Sequence, residues 1–227
     1  MSSSSPSLTT ASPAKAETPI ERDTRERLLD AAVTLFAEQG IAATRVAEIA
    51  VHAGVTPAMV HYYFKSRDQL LDTIVAERIE RFIALIWDPI TGSEDDPLAL
   101  VKGLVSRILK ASHVMPWLPP LWVREIVSEG GQLREKILQR IPRDKLRQLA
   151  DCLKAGQEKG VVNPEIDPRL ILISILGLTL LPLAAAKIWN HIPSLERVSK
   201  ENLARHAISL LIGGLTNPAP GSVSKRG

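Results

Sequence analysis

The feature that most constrains the fold of this 227-residue chain is a short segment with a glycine and, three residues later, a proline. Residues 44–67 read TRVAEIAVHAGVTPAMVHYYFKSR. An apolar helical face ends at Gly54, which can adopt the positive φ of a tight turn because it has no Cβ. Pro57 suits the first position of a following helix, and Thr56 is placed to cap that helix through its hydroxyl. The segment therefore predicts a helix-turn-helix motif.

The second helix of this motif has an unusual outward face. Val60 and Phe64 are four residues apart and are expected to point into the core. The remaining sides carry small, apolar, aromatic and cationic groups, and no acidic residue lies between Glu48 and Asp68. Such a surface suits a polyanion whose groove presents phosphate oxygens, base edges and thymine methyl groups. The alternative is an amphipathic helical hairpin whose aromatic residues only fill the core.

The sequence around the motif resembles the N-terminal domain of the TetR family of transcriptional regulators. The resemblance covers residues 25–83 and is carried by the blocks AAVTLFAEQG, VAEIAVHAGV, VHYYF and KSRDQLL. It implies an all-α fold in which an N-terminal three-helix DNA-binding domain is joined by a long fourth helix to a C-terminal α-bundle for ligand binding and dimerisation. Two positions depart from the family pattern: Arg45 stands where a second Ser or Thr is usual, and His61 stands where Tyr is more usual.

The resemblance implies a double-stranded DNA operator as partner and a role for each exposed residue of the motif. The residues expected to face the groove are Thr56, Ala58, Met59 and His61. The residues expected to hold phosphates are Thr44, Tyr62, Lys65 and Arg67. Arg45 and Pro57 complete the predicted DNA-binding set, and Thr44 is an alternative cap for the first helix of the motif because Arg45 replaces the usual hydroxyl residue.

The charge of the chain does not by itself indicate DNA binding. The formal net charge is only +3, and residues 21–67 contain six basic and six acidic groups. The DNA hypothesis therefore depends on where the charges lie. Cys152 is the only cysteine, which leaves no disulfide within one chain and fits a reducing cytoplasm.

Composition and helical periodicity divide the chain into four segments. Residues 1–20 are rich in Ser, Thr, Pro and Ala, lack a secretory signal pattern and are expected to be a disordered arm, with a solvated tail favoured over an arm in the minor groove. A DNA-binding domain over 21–68, a ligand-binding and dimerisation domain over 69–216 and a disordered tail over 217–227 follow. The predicted helices are 24–39, 67–87, 97–112, 118–129, 132–141, 143–159, 168–189 and 199–214, with a charged linker at 92–97.

The most apolar stretch is residues 170–186, which contain no charged side chain. A membrane span usually needs about 20 apolar residues, so a membrane-associated or scaffold protein built around this stretch is the alternative function. The favoured interpretation is a helix covered by its own domain on one side and by a partner subunit on the other. In the family that the chain resembles, the last two long helices form a dimer interface, and the residues matched to it are Ile173, Leu176, Leu180, Leu203, Ala207, Leu210 and Leu211.

Four tryptophans lie in the second domain, although aromatic residues make up only 4% of the chain. They could line an apolar cavity for a small-molecule effector, because tryptophan offers a large contact face and one donor. The alternative is that they fill gaps at helix junctions. The predicted ligand-binding residues are Trp87, His113, Met115, Trp117 and Trp122.

The sequence contains no catalytic or metal-binding motif, and we expect neither an enzyme nor a cofactor. Arg124 and Glu125 do not form an acid–base pair, because neighbouring helical residues point apart and should make separate surface or core contacts. The predicted function is a cytoplasmic TetR-type repressor that binds a palindromic operator as a homodimer and is released by a small apolar or amphipathic effector. An activator is the alternative within this class.

Overall fold

The chain is all-α, as predicted, in a computed structural model that describes residues 19–88, 96–193 and 198–216. The α-helices of these ranges are α1 Pro19–Gln39, α2 Val46–His52, α3 Pro57–Tyr63, α4 Arg67–Ile74, α5 Glu80–Trp87, α6 Pro97–Val114, α7 Leu118–Trp122, α8 Arg134–Leu138, α9 Arg143–Glu158, α10 Ile171–Ala184, α11 Ala186–Trp189 and α12 Lys200–Leu215. The described residues contain no β-strand, and their only β-type pairing is an isolated bridge between Val162 and Thr216.

Each predicted helical segment is helical, but the segment 118–129 continues α7 with a π-helical turn at Val123–Val127, and the segment 168–189 is divided into a 3-10 turn, α10 and α11. Helix α1 begins at Pro19, five residues before the predicted start, and ends at Gln39, which is followed by Gly40 with a φ of +89°. The arm predicted over 1–20 and the linker predicted over 92–97 lie outside the described residues, apart from residues 19–20, which belong to α1, and residues 96–97, which begin α6. The predicted tail, 217–227, lies wholly outside the described residues.

Helices α1 to α3 enclose a small core because each buries one apolar stripe. The side chains of Leu28, Leu29, Ala32 and Phe36 on α1 are fully buried, together with Ile49 and Ala50 on α2 and Val60 on α3. Phe64, which follows α3, is 3% exposed and closes this core. The short helices are thus held by packing against α1, since helices of seven residues are marginal alone.

Helix α4, a π-helical turn at Val75–Ile79 and helix α5 form one continuous helix, here called the connecting helix. The prediction of a single helix over 67–87 is confirmed, and the π-helical turn is an addition that places one extra residue in the middle. Leu70, Leu71 and Ile74 are buried with α1 to α3, whereas Phe82 and Ile86 are buried in the second core. One helix therefore belongs to both cores.

The second core surrounds α6, which packs against α5, α9, α10 and α12. Its largest contribution comes from one apolar stripe of α6, formed by Leu100, Val101, Leu104, Val105 and Ile108. Asp96 begins this helix as its N-cap, because its Oδ1 accepts from the N–H groups of Leu98 at 2.9 Å and Ala99 at 3.1 Å.

The two cores are not separated by solvent. Leu121, Leu133 and Ile137 follow α6 in the chain but are buried in the core formed by α1 to α4. Ile83 and Trp117 are partly buried against both cores. Helix α1 is therefore packed against α7, and the core of α1 to α4 also includes residues of α7 and α8, in addition to the link through the connecting helix.

The apolar stretch at 170–186 forms a 3-10 turn at Pro168–Leu170 and the 14-residue helix α10, with Pro182 inside it. Within residues 19–88, 96–193 and 198–216, every helix is too short or too polar to cross a membrane. One side of α10 is buried through Ile175 and Leu180, while Ile173 and Leu181 on the other side are more than half exposed.

Candidate nucleic-acid interface

The turn between α2 and α3 has the geometry that the sequence predicts. Gly54 adopts a φ of +68°, and its N–H donates to the Val51 carbonyl at 3.0 Å. The Val55 N–H donates to the Ala50 carbonyl at 2.9 Å, and the Val55 side chain is half-buried against the core of α1 to α3. The angle between the two short helices is thus fixed by backbone hydrogen bonds and by one apolar side chain.

Helix α3 begins as predicted, with one correction. Thr56 is the N-cap, with extended backbone angles (φ −82°, ψ 153°), and Pro57 is the first helical residue. The Thr56 hydroxyl makes no capping hydrogen bond, so the prediction that it caps α3 through this group is wrong. Both side chains are exposed at the N-terminal end of α3.

The outward face of α3 consists of the predicted residues. Val60 and Phe64 point into the core and are 2% and 3% exposed. The side chains of Thr56, Pro57, Ala58, His61, Tyr62 and Lys65 are exposed, and that of Met59 is half-exposed. The Tyr62 ring is supported edge-on by Tyr63, with ring centroids 5.1 Å apart. A continuous surface of small, aromatic and cationic groups is therefore presented to solvent.

The acidic residues that flank this surface already have partners. The Glu48 carboxylate accepts from the Arg45 N–H at 2.7 Å and from Gln39 Nε2 at 3.2 Å. Asp68 lies 2.8 Å from Lys136 Nζ. The Arg45 and Lys65 side chains are exposed and, among the described residues, have no ion-pair partner. Two exposed cations, Arg45 and Lys65, therefore lie at the two ends of the segment that contains α3.

Thr44 lies inside the protein rather than on this surface. Its side chain is 1% exposed, and its hydroxyl donates to the Gly40 carbonyl at 2.8 Å. Arg45, and not Thr44, is the N-cap of α2. This geometry supports neither of the two expectations for Thr44, phosphate binding and capping, because the hydroxyl is used to close the turn after α1.

Arg67 is also turned inward. Its guanidinium donates to the carbonyls of Thr44, at 3.0 Å, and of Ile41, and it lies 6.0 Å from the centre of the Phe36 ring. A guanidinium at this distance from an aromatic face is attracted to the ring. Arg67 therefore ties the start of the connecting helix to the α1–α2 turn, and its geometry does not support the expectation that it holds a phosphate.

The α1–α2 turn is attached to the bundle by a buried acidic side chain. Glu125 lies in the π-helical turn Val123–Val127 that extends α7, and it is 5% exposed. Its Oε1 accepts from the Ile41 N–H at 2.9 Å, and its Oε2 accepts from the Gln132 N–H at 3.1 Å. One side chain thus accepts hydrogen bonds from the α1–α2 turn and from the turn that precedes α8.

Helix α1 is further attached to the connecting helix by ion pairs. Arg25 contacts both Glu77 oxygens, with Nη1 2.6 Å from Oε2. Arg78 Nη2 lies 2.6 Å from Glu26 and 3.0 Å from Asp30. The side-chain hydrogen bonds from Arg25 hold the pKa of Glu77 below its ordinary value, and the nearby charges add to this, although partial burial acts in the opposite direction. Such pairs are individually weak, but as a network they fix the orientation of α1.

Helix α8 forms a second set of ion pairs with the connecting helix. Lys136 Nζ lies 2.8 Å from Asp68 and 2.6 Å from Asp72, and Arg140 pairs with Glu80. The hydrogen bond from Lys136 to Asp68, followed by that to Asp72, raises the pKa of Lys136 above its ordinary value. The N-terminal half of the connecting helix is therefore held by α1 on one side and by α8 on the other.

The five predicted ligand-binding residues differ in burial and in their surroundings. Trp87 and Met115 are buried in the second core. His113 is exposed, with Nδ1 2.7 Å from Lys200 Nζ, and Trp122 is half-buried. Trp117 alone of the five lines one of the clefts described below, between α1 and the bundle.

The predicted dimer residues fall on two different sides of α10 and α12. Leu180, Ala207 and Leu211 are buried in the core of their own subunit. Leu176 and Leu203 are half-buried against that core, whereas Ile173 and Leu210 are 66% and 51% exposed. On α10 the spacing could not tell the inward stripe from the outward one, because both include large apolar side chains. On α12 the exposed side is mostly polar, and Leu210 is its exposed large apolar residue.

Comparison with known proteins gives matches over most of the described chain. Residues 28–74 match the family described as "Bacterial regulatory proteins, tetR family", and residues 97–211 match the family described as "Tetracyclin repressor-like, C-terminal domain". The chain belongs to the TetR family. This membership in a family of transcriptional regulators replaces the membrane-associated or scaffold alternative.

Curated relatives of this TetR-family chain are regulators of similar length. The fatty acid metabolism regulator protein of Bacillus subtilis is 27% identical over 193 residues, which cover 84% of this chain and 95% of that protein. The transcriptional repressor KstR2 of Mycobacterium tuberculosis is 26% identical over 147 residues, which cover 65% of this chain and 73% of that protein.

Solved structures agree with the fold of this TetR-family chain. The ketosteroid transcriptional regulator KstR2 of Mycobacterium tuberculosis superimposes with a TM-score of 0.68 at 22% identity, covering 86% of this chain and 95% of that chain. The fatty acid degradation regulator FadR from Bacillus halodurans gives a TM-score of 0.60 at 24% identity, covering 88% and 98%.

Sequence reasoning identified the face of α3 but missed the link through Glu125. Arg124 is exposed and Glu125 is buried, as expected because neighbouring helical residues point in different directions. The signal available in the sequence was the acidic residue Glu125, which lies between Val123 and Ile126 on a predicted helix. Its partner Ile41 is 84 residues away in the chain, so no local pattern could name it.

Arg67 and Lys65 provide a matched test of these assignments. Arg67→Ala should lower the free energy of unfolding by about 2 kcal/mol, because two carbonyls lose a charged donor. Lys65→Ala should change it by less than about 0.5 kcal/mol, as expected for an exposed side chain. Urea unfolding followed by circular dichroism measures both. Equally small effects would mean that Arg67 is free to contact DNA.

Proposed function

We propose that this TetR-family chain is a cytoplasmic transcriptional repressor that binds a palindromic operator as a homodimer and releases it when a small apolar or amphipathic molecule binds. The observation that carries the DNA part is the outward face of α3, which lacks carboxylates and is flanked in the chain by Arg45 and Lys65, two exposed cations without an ion-pair partner among the described residues. The name of one relative, a transcriptional repressor, supports repression over activation.

The exposed residues of α3 divide into two proposed roles. Thr56, Ala58, Met59 and His61 face the major groove, where small and apolar side chains can approach base edges and thymine methyl groups. Arg45, Tyr62 and Lys65 contact phosphates, which positions the helix without reading the sequence. Pro57 lies at the N-terminal end of α3 and leaves room for close approach of the DNA backbone.

The homodimer is proposed to form through the outward faces of α10 and α12. Ile173, Gly177 and Leu181 form one helical stripe on α10, and Leu210 and Gly213 continue the exposed surface on α12. A Cβ at either glycine would have no neighbour within 4 Å, so both glycines permit close approach of a second pair of helices. This face replaces the mixed set of residues expected from the sequence.

A dimer is required because one helix-turn-helix motif covers only half of an operator. Two copies of α3 must lie about one helical turn of DNA apart, roughly 34 Å, or a multiple of that distance, to reach one face of the duplex. The two-fold symmetry of a dimer then matches the symmetry of a palindromic operator. Operator binding and dimerisation are therefore linked.

An apolar or amphipathic effector agrees with what is named for the relatives. One relative is a regulator of fatty acid metabolism, and a structurally similar protein is described as a ketosteroid regulator. To release DNA, the effector must bind one arrangement of the two motifs better than the other. A tenfold loss of operator affinity requires a coupling free energy of only about 1.4 kcal/mol.

Selection from random DNA duplexes tests the proposed DNA binding. We expect enrichment of a palindrome whose half-sites are about one helical turn apart. Lys65→Ala should weaken binding to all sequences about equally and reduce the salt dependence by about one ion per subunit, because it removes one phosphate contact. Met59→Ala should change the preferred bases instead. Failure to enrich any palindrome would exclude the proposal.

Substitution of the outward face tests the proposed dimer. Leu210→Glu should place a charge in the interface, cost about 3 to 5 kcal/mol and give monomers with intact helicity and poor operator affinity. Leu138→Glu is the control, because Leu138 is similarly exposed, 47% against 51%, and lies on α8 outside this face. Sedimentation velocity measures both. If the Leu210→Glu variant remained dimeric, the dimer interface would have to lie on another surface.

A further inference from the structure

A cleft of about 450 Å³ lies between α1 and the bundle, on the side of the molecule where Trp117 meets both cores. One wall is the C-terminal half of α1, with Ala37 and Glu38, and the opposite wall is formed by α7, α10 and α11. The volume is within the range of small-molecule sites. A molecule in this cleft would contact the DNA-reading unit and the bundle together.

The cleft combines an apolar floor with cations of the bundle. Trp117 and Leu183 supply the main apolar side chains, and Arg124 and Lys187 line the bundle wall. Both cations are exposed and have no ion-pair partner among the described residues. Glu38 on α1 is the one acidic group in the lining. The bundle wall therefore matches an anion with an apolar part.

We propose that this cleft is the effector site and that it takes an amphipathic anion, with the anionic group on Arg124 and Lys187 and the apolar part against Trp117 and Leu183. This inference rests on the proposed function, because it names the class and the position of the effector. It places the effector at the junction with α1 and not among Trp87, His113 and Met115, two of which are packed in the core while the third faces solvent.

A second cleft, of about 370 Å³, is lined by residues of α11 and α12 that include Trp189, Leu203 and His206. The exposed His206 lies on the outward side of α12, next to the proposed dimer face. A molecule bound there would contact the region of the dimer interface and no residue of α1 to α3. The cleft at α1 is therefore the better placed of the two to change the position of α3.

The position of Arg124 gives this binding a route to the DNA-reading helices. A Cβ at Gly40 would be 3.1 Å from Arg124 Cδ, so the stem of this arginine lies against the end of α1. The next residue, Glu125, holds the Ile41 N–H. An anion on Arg124 and Lys187 would also face Glu38, and like charges repel. Anion binding thus favours separation of α1 from the bundle, which would change the spacing of the two motifs.

The test compares three compounds with one tail and different head groups, namely decanoate, decanol and decylamine, each below its micellar concentration. Isothermal titration calorimetry on the full chain should show decanoate binding more tightly than both others. Arg124→Gln and Lys187→Gln should each weaken decanoate about tenfold, as expected for loss of a charge-assisted hydrogen bond. Neither should change the affinity for decanol. Arg147→Gln, an exposed arginine on α9, is the control.

Operator release provides the second measurement. Decanoate should lower operator affinity of the wild-type chain, and Glu38→Gln should bind decanoate at least as tightly yet release operator less, because the repulsion is removed. Equal binding of the three compounds, or decanoate affinity that both cleft substitutions leave unchanged, would overturn the inference. So would a Glu38→Gln variant that releases operator as fully as wild type.

The two measurements separate this inference from the proposed function. A chain that selects a palindrome but does not bind decanoate retains the proposed function and loses this effector site. A chain that binds decanoate through Arg124 and Lys187 but binds no DNA retains the site and loses the proposed function. Circular dichroism melting of each variant shows whether a lost affinity reflects lost folding.

Discussion

The position of α1 to α3 against the bundle depends on the buried carboxyl group of Glu125. A buried polar group destabilises a protein unless its hydrogen bonds are made, and removing it would leave the N–H groups of Ile41 and Gln132 without their acceptor. The first of these donors belongs to the turn after α1, and the second to the turn before α8. Because the apolar residues Leu121 and Leu133 pack around the same junction, α1 to α3 are held against the bundle by more than the covalent connection.

Local chemistry made much of the fold predictable. The sequence directly predicts the positive-φ glycine before Thr56 and Pro57, and it predicts the apolar stripe of each helix. It does not predict features that depend on partners distant in the chain. The sequence alone suggests that Arg67 is a solvent-exposed cation. In the structure its guanidinium donates hydrogen bonds to carbonyls of the α1–α2 turn, 23 and 26 residues away. On α10 both faces are apolar, so periodicity identified the helix but not which side meets its own core.

The contacts around the α1–α2 turn connect the proposed effector cleft with the proposed DNA-binding surface. Arg67 joins this turn to the connecting helix, and Glu125 joins it to α7. Arg124 lines the cleft and precedes Glu125 in the chain, and its side chain lies against Gly40 at the end of α1. We therefore infer that a displacement at the cleft is transmitted to α3 through these contacts of the α1–α2 turn as well as through the connecting helix.

Amide hydrogen exchange at single-residue resolution tests the link through Glu125 most directly. If this carboxyl group holds α1 to α3 against the bundle, the Ile41 and Gln132 amides should be protected with similar protection factors, because one opening event releases both donors. The exposed neighbours Ala42 and Ala43 should exchange faster than Ile41. The account would be contradicted if Ile41 exchanged as fast as Ala42 and Ala43 while Gln132 stayed protected.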